Sequence, residues 1–300
     1  MIRRPGLTRF LEKEKEDMSE KRYRPLAYFI ATFIVTFAFW FAGAYVSFRE
    51  GGSDIYLAFM LPGLLAPFVI SLVMTLRSGD GRMKRDFVER LVDPRLIRPA
   101  TLPFIFLMTP VAVLAAIAIS MLLGGSAAEL RLAEGFSFTY GLAPALLVLL
   151  LAATFEELGW RGYAFDSLES RFGFLKASIL FGVLWSLWHM PLLFVKGSYQ
   201  YEIMQENPWF AVNFFVSVVP LGVIVSWVCV RNLKSVLAAI LFHFVINMSQ
   251  EMFAITQATK CIETGVFMAI AAVLVFVDRR LFFPAGRGED RADTKGDPHV

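Results

Sequence analysis

The sequence predicts an all-α, polytopic membrane protein with about eight transmembrane helices and both termini in the cytoplasm. The first observation behind this prediction is the composition: of 300 residues, 57% are hydrophobic and only 18% are charged, with a mean hydropathy of +0.58. Soluble chains carry about 25% charged residues. The other two observations are that the apolar residues fall into long segments and that the connections between these segments are alternately rich and poor in basic residues.

Eight segments are long and apolar enough to be candidate transmembrane helices, each of which needs about 20 mostly apolar residues. Pro62 and Pro67 lie within the second segment, where neighbouring helices can accommodate the expected kinks. The candidates are Leu26–Phe48, Ile55–Leu76, Leu102–Leu123, a segment from Leu142 past Phe155 into a charged stretch, Ala177–Phe194, Phe210–Val230, Val236–Ile255 and Ile262–Val277.

The basic residues predict how these helices are oriented. Of the 29 Lys and Arg residues, 25 lie in the two terminal segments and in every second connection, and 4 lie in the remaining connections. The positive-inside rule places the basic-rich set in the cytoplasm. Both termini are then cytoplasmic, as an even number of helices requires.

The segments divide the chain into five parts. Residues 284–300 are polar and Gly-rich, which predicts disorder. The parts are a cytoplasmic N-terminal tail at 1–25, the first three transmembrane helices with their loops at 26–141, helices four to seven at 142–255, the last transmembrane helix at 256–283, and a disordered C-terminal tail at 284–300.

The remaining bulk properties exclude several classes of protein. The two cysteines, Cys229 and Cys261, form no CxxC motif and cannot build a disulfide framework. Net charge is only +3, from 29 basic and 26 acidic residues. Nucleic acid is therefore not an expected partner, and the lipid bilayer is.

Three polar groups interrupt the apolar segments. The first contains Glu156, Glu157 and Arg161, the second contains His189, and the third contains His243 and Asn247. An ionisable side chain near the centre of a bilayer costs about 2.5–3.5 kcal/mol, so such residues are functional candidates by default. Left unpaired, these six would cost on the order of 10 kcal/mol together. They are therefore expected to converge on one another or to line a wet cavity.

Helical spacing organises these residues, although each group by itself also fits a structural role. Glu157 and Arg161 are four residues apart, as an ion pair on one helix face requires, and His243 and Asn247 have the same spacing. Such pairs also hold helices together in membrane bundles. Pro191 is expected to weaken the helix after His189. Trp185 and Trp188 are interpreted as packing or interfacial aromatics.

The polar residue types favour hydrolysis by an activated water. The chain has no GxSxG, HExxH or phosphate-binding glycine motif and no suitably placed cysteine. A buried carboxylate can serve as a general base, and an imidazole can orient the attacked water. A second imidazole and an amide can donate hydrogen bonds to a developing oxyanion.

The motifs Glu156-Glu157-LGW-Arg161, Trp185-SLW-His189 and His243-FVI-Asn247 resemble those of the CPBP family of intramembrane proteases. That family includes CAAX-processing, Ras-converting endopeptidases and bacterial bacteriocin-immunity proteins. Its pattern is EExxxR, then FxxxH, then HxxxN or HxxxB, and the resemblance covers residues 142–249 in three helices. This chain departs from the pattern at Trp185, where the family often has phenylalanine.

The resemblance implies a catalytic core at residues 142–255 and a role for each motif residue. Glu156 would activate water with the help of His189, and His243 and Asn247 would form the oxyanion hole. Glu157 and Arg161 would support them, Arg161 by holding a glutamate in place. Whether a metal takes part stays open: zinc is the candidate cofactor, with Glu156, His189 and His243 as candidate ligands.

The expected function is therefore that of an intramembrane endopeptidase in the cell membrane, if the source is prokaryotic. Its expected substrate is a membrane-anchored protein or peptide cut near its C-terminus, with prenylation left open. Two alternatives are a non-enzymatic immunity or scaffold protein of the same fold and a proton-coupled transporter, since Glu and His chains also relay protons. Against the transporter, the first half of the chain lacks a matching polar set, which inverted-repeat transporters tend to have.

Overall fold

The computed structural model describes residues 23–133, 139–140 and 143–283, and these are almost entirely helical, as predicted. The exceptions include an antiparallel pair of two-residue strands, β1 (Thr139–Tyr140) and β2 (Ala143–Pro144), and an isolated bridge between Leu132 and Phe253. The predictions for residues 1–22 and for the tail at 284–300 lie outside the described residues. The helices are α1 (Pro25–Ser47), α2 (Gly52–Arg77), α3 (Gly81–Val92), α4 (Leu102–Leu122), α5 (Ala145–Gly159), α6 (Phe165–Phe172), α7 (Phe174–Trp188), α8 (Tyr199–Glu206), α9 (Pro208–Arg231), α10 (Val236–Met252), α11 (Gln257–Val277) and α12 (Arg279–Phe282).

The chain is an integral multi-pass membrane protein. In the described part of the chain, six helices are long and apolar enough to cross a membrane, and they coincide with six of the predicted segments. The fourth and seventh predicted segments form the shorter helices α5, of 15 residues, and α10, of 17 residues. A π-helical turn at Trp160–Ala164 joins α5 directly to α6. Each of the eight predicted segments contains a helix in the described part of the chain. Two of these helices are too short to count as spans by length, so the total of eight spans stays a prediction.

Two helix boundaries differ from the prediction in a way that bears on the site. Helix α7 begins at Phe174 rather than Ala177 and ends at Trp188, after which Met190–Phe194 continues as a 3-10 turn. Pro191 in this turn explains the change, because proline removes a helical donor. Helix α11 begins at Gln257 instead of Ile262, capped by the Thr256 hydroxyl.

The long helices connect two ends that differ in basic residues. At one end the Lys196 amide donates to Ser47 Oγ at 3.0 Å, and at the other Arg231 pairs with Asp278 at 2.5 Å. The four connections with few Lys and Arg residues meet at the first end, here called the basic-poor end. The second is the basic-rich end. The basic-poor end comprises residues 48–51, 123–133, 195–207 and 253–256, and the basic-rich end comprises 78–101, 165–173, 232–235 and 278–283.

Proline in α2 creates a polar link to the helix that carries His189. Pro67 cannot donate to the carbonyl of Gly63, one turn earlier. The hydroxyl of Thr36 donates to that carbonyl at 2.9 Å, and the Trp188 indole N–H donates to Thr36 at 2.9 Å. The freed carbonyl is thus satisfied inside the bundle, as lipid immersion demands, and α1, α2 and α7 are tied together next to His189.

Close contact between α7 and α9 depends on two glycines. A Cβ atom on Gly222 would lie 2.6 Å from the Cα of Gly182, and one on Gly182 would lie 2.7 Å from the carbonyl oxygen of Val219. Small residues at such a crossing let the backbones of two membrane helices approach. This contact brings α9 close to α7, and the carbonyl of Gly222 lies 3.5 Å from Arg161 Nη2 of the first motif.

Helix α3 is anchored at the basic-rich end by one buried arginine. Arg90 donates to Asp166 at 2.5 Å, to the carbonyl of Arg161 at 2.5 Å and to the carbonyl of Lys234 at 2.6 Å. Burial by itself raises the pKa of the Asp166 carboxyl, but the charges of Arg90 and Lys234 outweigh it and lower the pKa to about 2. The backbone that follows the EExxxR motif is therefore fixed from the basic-rich side.

Cysteine labelling tests the orientation that the positive-inside rule predicts. In a Cys261→Ser background, with Cys229 buried, we expect a membrane-impermeant maleimide to modify Lys196→Cys on intact cells. Arg82→Cys, exposed on α3, should react only after permeabilisation, and both should react in denaturant. Labelling of Arg82→Cys on intact cells, with Lys196→Cys protected, would show the opposite orientation.

Candidate active site

The three polar motifs converge on one cavity inside the bundle. Its volume is about 260 Å³, and Glu156, His189, His243 and Asn247 line it. The lining also includes Tyr199 of α8, so the cavity extends toward the basic-poor end. In the orientation predicted from the basic residues, its mouth lies on the non-cytoplasmic side.

Glu157 and Arg161 meet as the sequence predicts and lie outside the cavity lining. Both side chains are fully buried, at 0% exposure, and Arg161 Nη1 lies 3.0 Å from Oε1 and 2.9 Å from Oε2 of Glu157. The Arg161 guanidinium lies 4.2 Å from the ring centroid of Phe181. A buried pair of this kind is costly to break, because removing one partner leaves an uncompensated charge.

His243 extends this ion pair to the cavity. Its Nδ1 lies 2.9 Å from Oε1 of Glu157. The glutamate is paired with Arg161 and can only accept as a carboxylate, so Nδ1 carries the proton. Nε2 is therefore the ring nitrogen available to the cavity, and Asn247 lies one helical turn further along α10.

Glu156 and Glu157 are adjacent in sequence and have opposite environments. Consecutive helix positions are about 100° apart around the axis, so Glu156 points to the cavity. Its Oε2 accepts a hydrogen bond from the Trp185 indole N–H at 2.9 Å and a longer one from the Trp160 indole N–H at 3.4 Å. Two neutral donors hold the carboxylate in place through Oε2, and Oε1 forms no hydrogen bond with the protein among the described residues.

His189 lies at the end of α7, where the helix gives way to the 3-10 turn. Its Nδ1 lies 2.8 Å from the carbonyl oxygen of Trp185. A carbonyl only accepts, so Nδ1 is the protonated nitrogen and Nε2 of the neutral ring is an acceptor. The ring also packs against Trp188, with centroids 4.8 Å apart. His189 thus presents an acceptor to the cavity.

The π-helical turn follows the two glutamates directly and contains Arg161. Such turns are rare and occur frequently at functional sites. Gly159, the residue before it, permits close contact with α2, since a Cβ there would lie 2.4 Å from the backbone of Pro67. The π-helical turn therefore begins at the point where the backbones of α5 and α2 are in close contact.

The candidate zinc ligands do not form a zinc site in this arrangement. Among the residues that the structure describes, no three His, Cys, Asp or Glu side chains lie close enough to hold a metal ion together. Nδ1 of His243 and Nδ1 of His189 are hydrogen-bonded within the protein, which leaves Nε2 as the nitrogen that either ring could offer to a metal. Glu156, His189 and His243 share the cavity but do not fit the geometry of three zinc ligands.

The interpretation of Trp185 as a packing residue was incomplete. Its ring does pack, with its centroid 5.9 Å from that of Phe181, but its N–H also binds Glu156 and its carbonyl binds His189. The spacing of a tryptophan in an apolar helix carries no sign of such a bond. The available signal was a tryptophan at the motif position where the pattern that the chain resembles often has phenylalanine.

Sequence reasoning also missed polar residues near the mouth of the cavity. Gln250 Nε2 donates to Oε1 of Glu263 at 2.5 Å, and Lys260 lies one turn from Glu263 on α11. Glu263 is only 2% exposed. Because the last helix was predicted to start at Ile262, Lys260 was assigned to a loop. The motif pattern ends at Asn247, before Gln250, Lys260 and Glu263.

Comparison with known proteins gives two matches. A family model described as "Type II CAAX prenyl endopeptidase Rce1-like" matches residues 138–249. A curated protein named CAAX prenyl protease 2, from Methanococcus maripaludis, is 51% identical over 266 residues, which cover 89% of this chain and 98% of that protein. The family match spans all three polar motifs, and the similarity to the relative extends over nearly the whole chain.

Replacement of Trp185 by phenylalanine tests the bond to Glu156. The ring stays while the N–H is lost, and a hydrogen bond to a charged group is worth about 1.5–3 kcal/mol. We expect kcat for peptide hydrolysis to fall by about 10-fold and the free energy of unfolding to fall by no more than about 1.5–3 kcal/mol, the contribution of this bond. Trp209→Phe, at an exposed position, is the matched control. Unchanged kcat in Trp185→Phe would contradict a role for this bond.

Proposed function

Because the chain belongs to the Rce1-like family of type II CAAX prenyl endopeptidases, we propose that Glu156 activates the water in its peptidase reaction. The family identifies the protein as an intramembrane endopeptidase that acts on a membrane-associated protein substrate. The observation that carries the assignment of Glu156 is the contrast between adjacent carboxylates. Glu157 is closed in an ion pair, whereas Glu156 faces the cavity beside two histidines.

The reactive water lies between two acceptors in this proposal. It donates one hydrogen to Glu156 and the other to Nε2 of His189, which leaves an oxygen lone pair for the substrate carbonyl. As the oxygen attacks, Glu156 takes the proton. Both acceptors are held by Trp185, through its N–H and its carbonyl respectively, so their separation is fixed before substrate binds.

His243 and Asn247 stabilise the oxyanion that develops on the attacked carbonyl. The Asn247 amide is a neutral donor. His243 donates from Nε2 only as the doubly protonated imidazolium, since Nδ1–H is already bound to Glu157. Donors fixed where charge develops are among the largest contributions to catalysis. Glu156 then passes its proton to the leaving amine, which completes hydrolysis.

The substrate in this proposal carries a prenyl group near the scissile bond. The curated relative is named a CAAX prenyl protease, which supports this assignment for the present chain. The cavity wall supports it too, because apolar side chains from four helices line the cavity together with the polar cluster. These include Leu149, Phe210, Phe214, Leu221, Ile246 and Phe267. An isoprenoid chain would bury its surface against them at about 25 cal/mol per Å².

The peptidase assignment also disfavours the two alternatives considered from sequence. A scaffold or immunity protein of the same fold has no need for a free carboxylate beside two histidines. A proton-coupled transporter is not supported by either comparison.

Hydrolysis of a fluorogenic, prenylated CAAX peptide tests the role of Glu156. General-base catalysis contributes about 10²–10⁴-fold, so Glu156→Gln should lose that much of kcat while remaining folded. Glu206→Gln, exposed at the end of α8, should keep wild-type activity. We expect a strong chelator to leave the wild-type rate unchanged.

Three outcomes would contradict this account. Turnover retained in Glu156→Gln would remove Glu156 as the base. Activity lost with chelator and restored by zinc would assign the cavity residues to a metal. Turnover of the same peptide without its prenyl group at an equal rate would refute only the prenyl specificity.

A further inference from the structure

Lys260 is the one lysine or arginine that lines the catalytic cavity in the described part of the chain. It lies in the first turns of α11, beyond the residues that the family match covers. Its ammonium is 4.5 Å from the ring centroid of Tyr199. None of the ion pairs formed by the described residues includes Lys260. The cavity therefore contains a cation that forms no direct ion pair among those residues, although its charge acts on Glu263, three residues further along α11.

The aromatic ring fixes this cation at the mouth of the cavity. The Tyr199 hydroxyl donates to Oε1 of Gln257 at 3.0 Å, and its ring packs edge-on against Phe214, with centroids 6.1 Å apart. A cation over a tyrosine face is held by about 0.5–1 kcal/mol at an exposed site. The ring leaves the N–H groups of the ammonium free to bind an anion.

The distance from the catalytic residues to Lys260 matches a short peptide. Along α10, Gln250 lies seven residues from His243 and three from Asn247, or about 10 Å and about 5 Å at 1.5 Å per residue. Gln250 contacts Glu263, and Lys260 lies three residues nearer the mouth, about 5 Å more, so Lys260 is about 10–15 Å along the bundle from the two residues. An extended peptide of three or four residues spans about 10–14 Å. A chain bound with its scissile carbonyl at His243 and Asn247 thus brings its C-terminus to Lys260.

We propose that Lys260 binds the free C-terminal carboxylate of the substrate and so selects peptides cut three or four residues from their end. This inference rests on the proposed function and adds its carboxyl-terminal subsite. A charge-assisted bond from ammonium to carboxylate is about twice as strong as a neutral one. The subsite also makes the cut depend on distance from the chain end, which an endopeptidase without such a cation would not do.

Two acidic residues of the cavity face the same region and do not remove the subsite. Glu263 lies deeper and is bound by Gln250. Glu251 lies on the solvent-exposed rim, where salt screens its charge. Loss of the negative charge in Glu263→Gln should therefore leave the preference for a carboxylate intact or raise it.

The test compares two fluorogenic peptides that differ only in a C-terminal carboxylate or carboxamide, in neutral detergent. We expect wild type to favour the acid by about 10- to 100-fold in kcat/KM, mainly through KM. Lys260→Met should abolish this preference by lowering kcat/KM on the acid to that on the amide, and a thermal unfolding curve that matches wild type shows that the variant is folded. Lys260→Arg should retain the preference, and Lys196→Met, an exposed lysine at the same end, should behave as wild type.

Equal turnover of acid and amide by wild type would refute the subsite and leave the proposed function standing. So would an acid preference that survives in Lys260→Met. If wild type cleaves neither peptide, binding of both peptides to Glu156→Gln by fluorescence anisotropy decides separately whether the carboxylate is recognised. Activity that depends on Lys260 only in anionic-lipid vesicles, with no acid preference, would assign the lysine to a lipid headgroup instead.

Discussion

The structure depends on the need to neutralise charge inside a bundle that is surrounded by lipid. Glu157 and Arg161 are fully buried, and neither side chain could stay there unpaired without a cost of several kcal/mol. Their ion pair lies between four helices, since Arg161 belongs to the turn after α5, packs on Phe181 of α7 and is 3.5 Å from the carbonyl of Gly222 in α9. His243 of α10 completes the set. The contact that satisfies the charges therefore also fixes the positions of the helices that carry the catalytic groups.

This arrangement gives two adjacent glutamates different environments, as the roles we propose for them require. Glu157 points into the bundle, where its charge is balanced, and it orients His243 through Nδ1. Glu156 points about 100° away around the helix and is held by indole N–H groups that do not cancel its charge. A carboxylate held by neutral donors can still accept a proton from water. The bundle thus holds one carboxylate in an ion pair and leaves its neighbour facing the cavity, as the roles we propose require.

The helices and the motif residues could be predicted from sequence because they follow from composition and spacing. Apolar segments of membrane length can only be helices, and residues four apart share a helix face, as Glu157 and Arg161 do. The roles of Trp185 and Lys260 could not be predicted in this way. The first depends on where an indole N–H points, and the second on a helix that begins at Gln257, five residues before the apolar segment. Contacts between helices, and the residue at which a capped helix starts, depend on the three-dimensional structure and cannot be predicted from the hydrophobic pattern of the sequence.

The unfolding free energy of Glu157→Gln, set against that of Glu156→Gln in the same detergent, tests most directly whether the two carboxylates are divided between structure and catalysis. The account predicts that Glu157→Gln loses about 3–5 kcal/mol, because Arg161 is left as an uncompensated buried charge. It predicts that Glu156→Gln stays within about 1 kcal/mol of wild type, since only hydrogen bonds to neutral indoles change. Equal stabilities of the two variants, or a greater loss in Glu156→Gln, would contradict it.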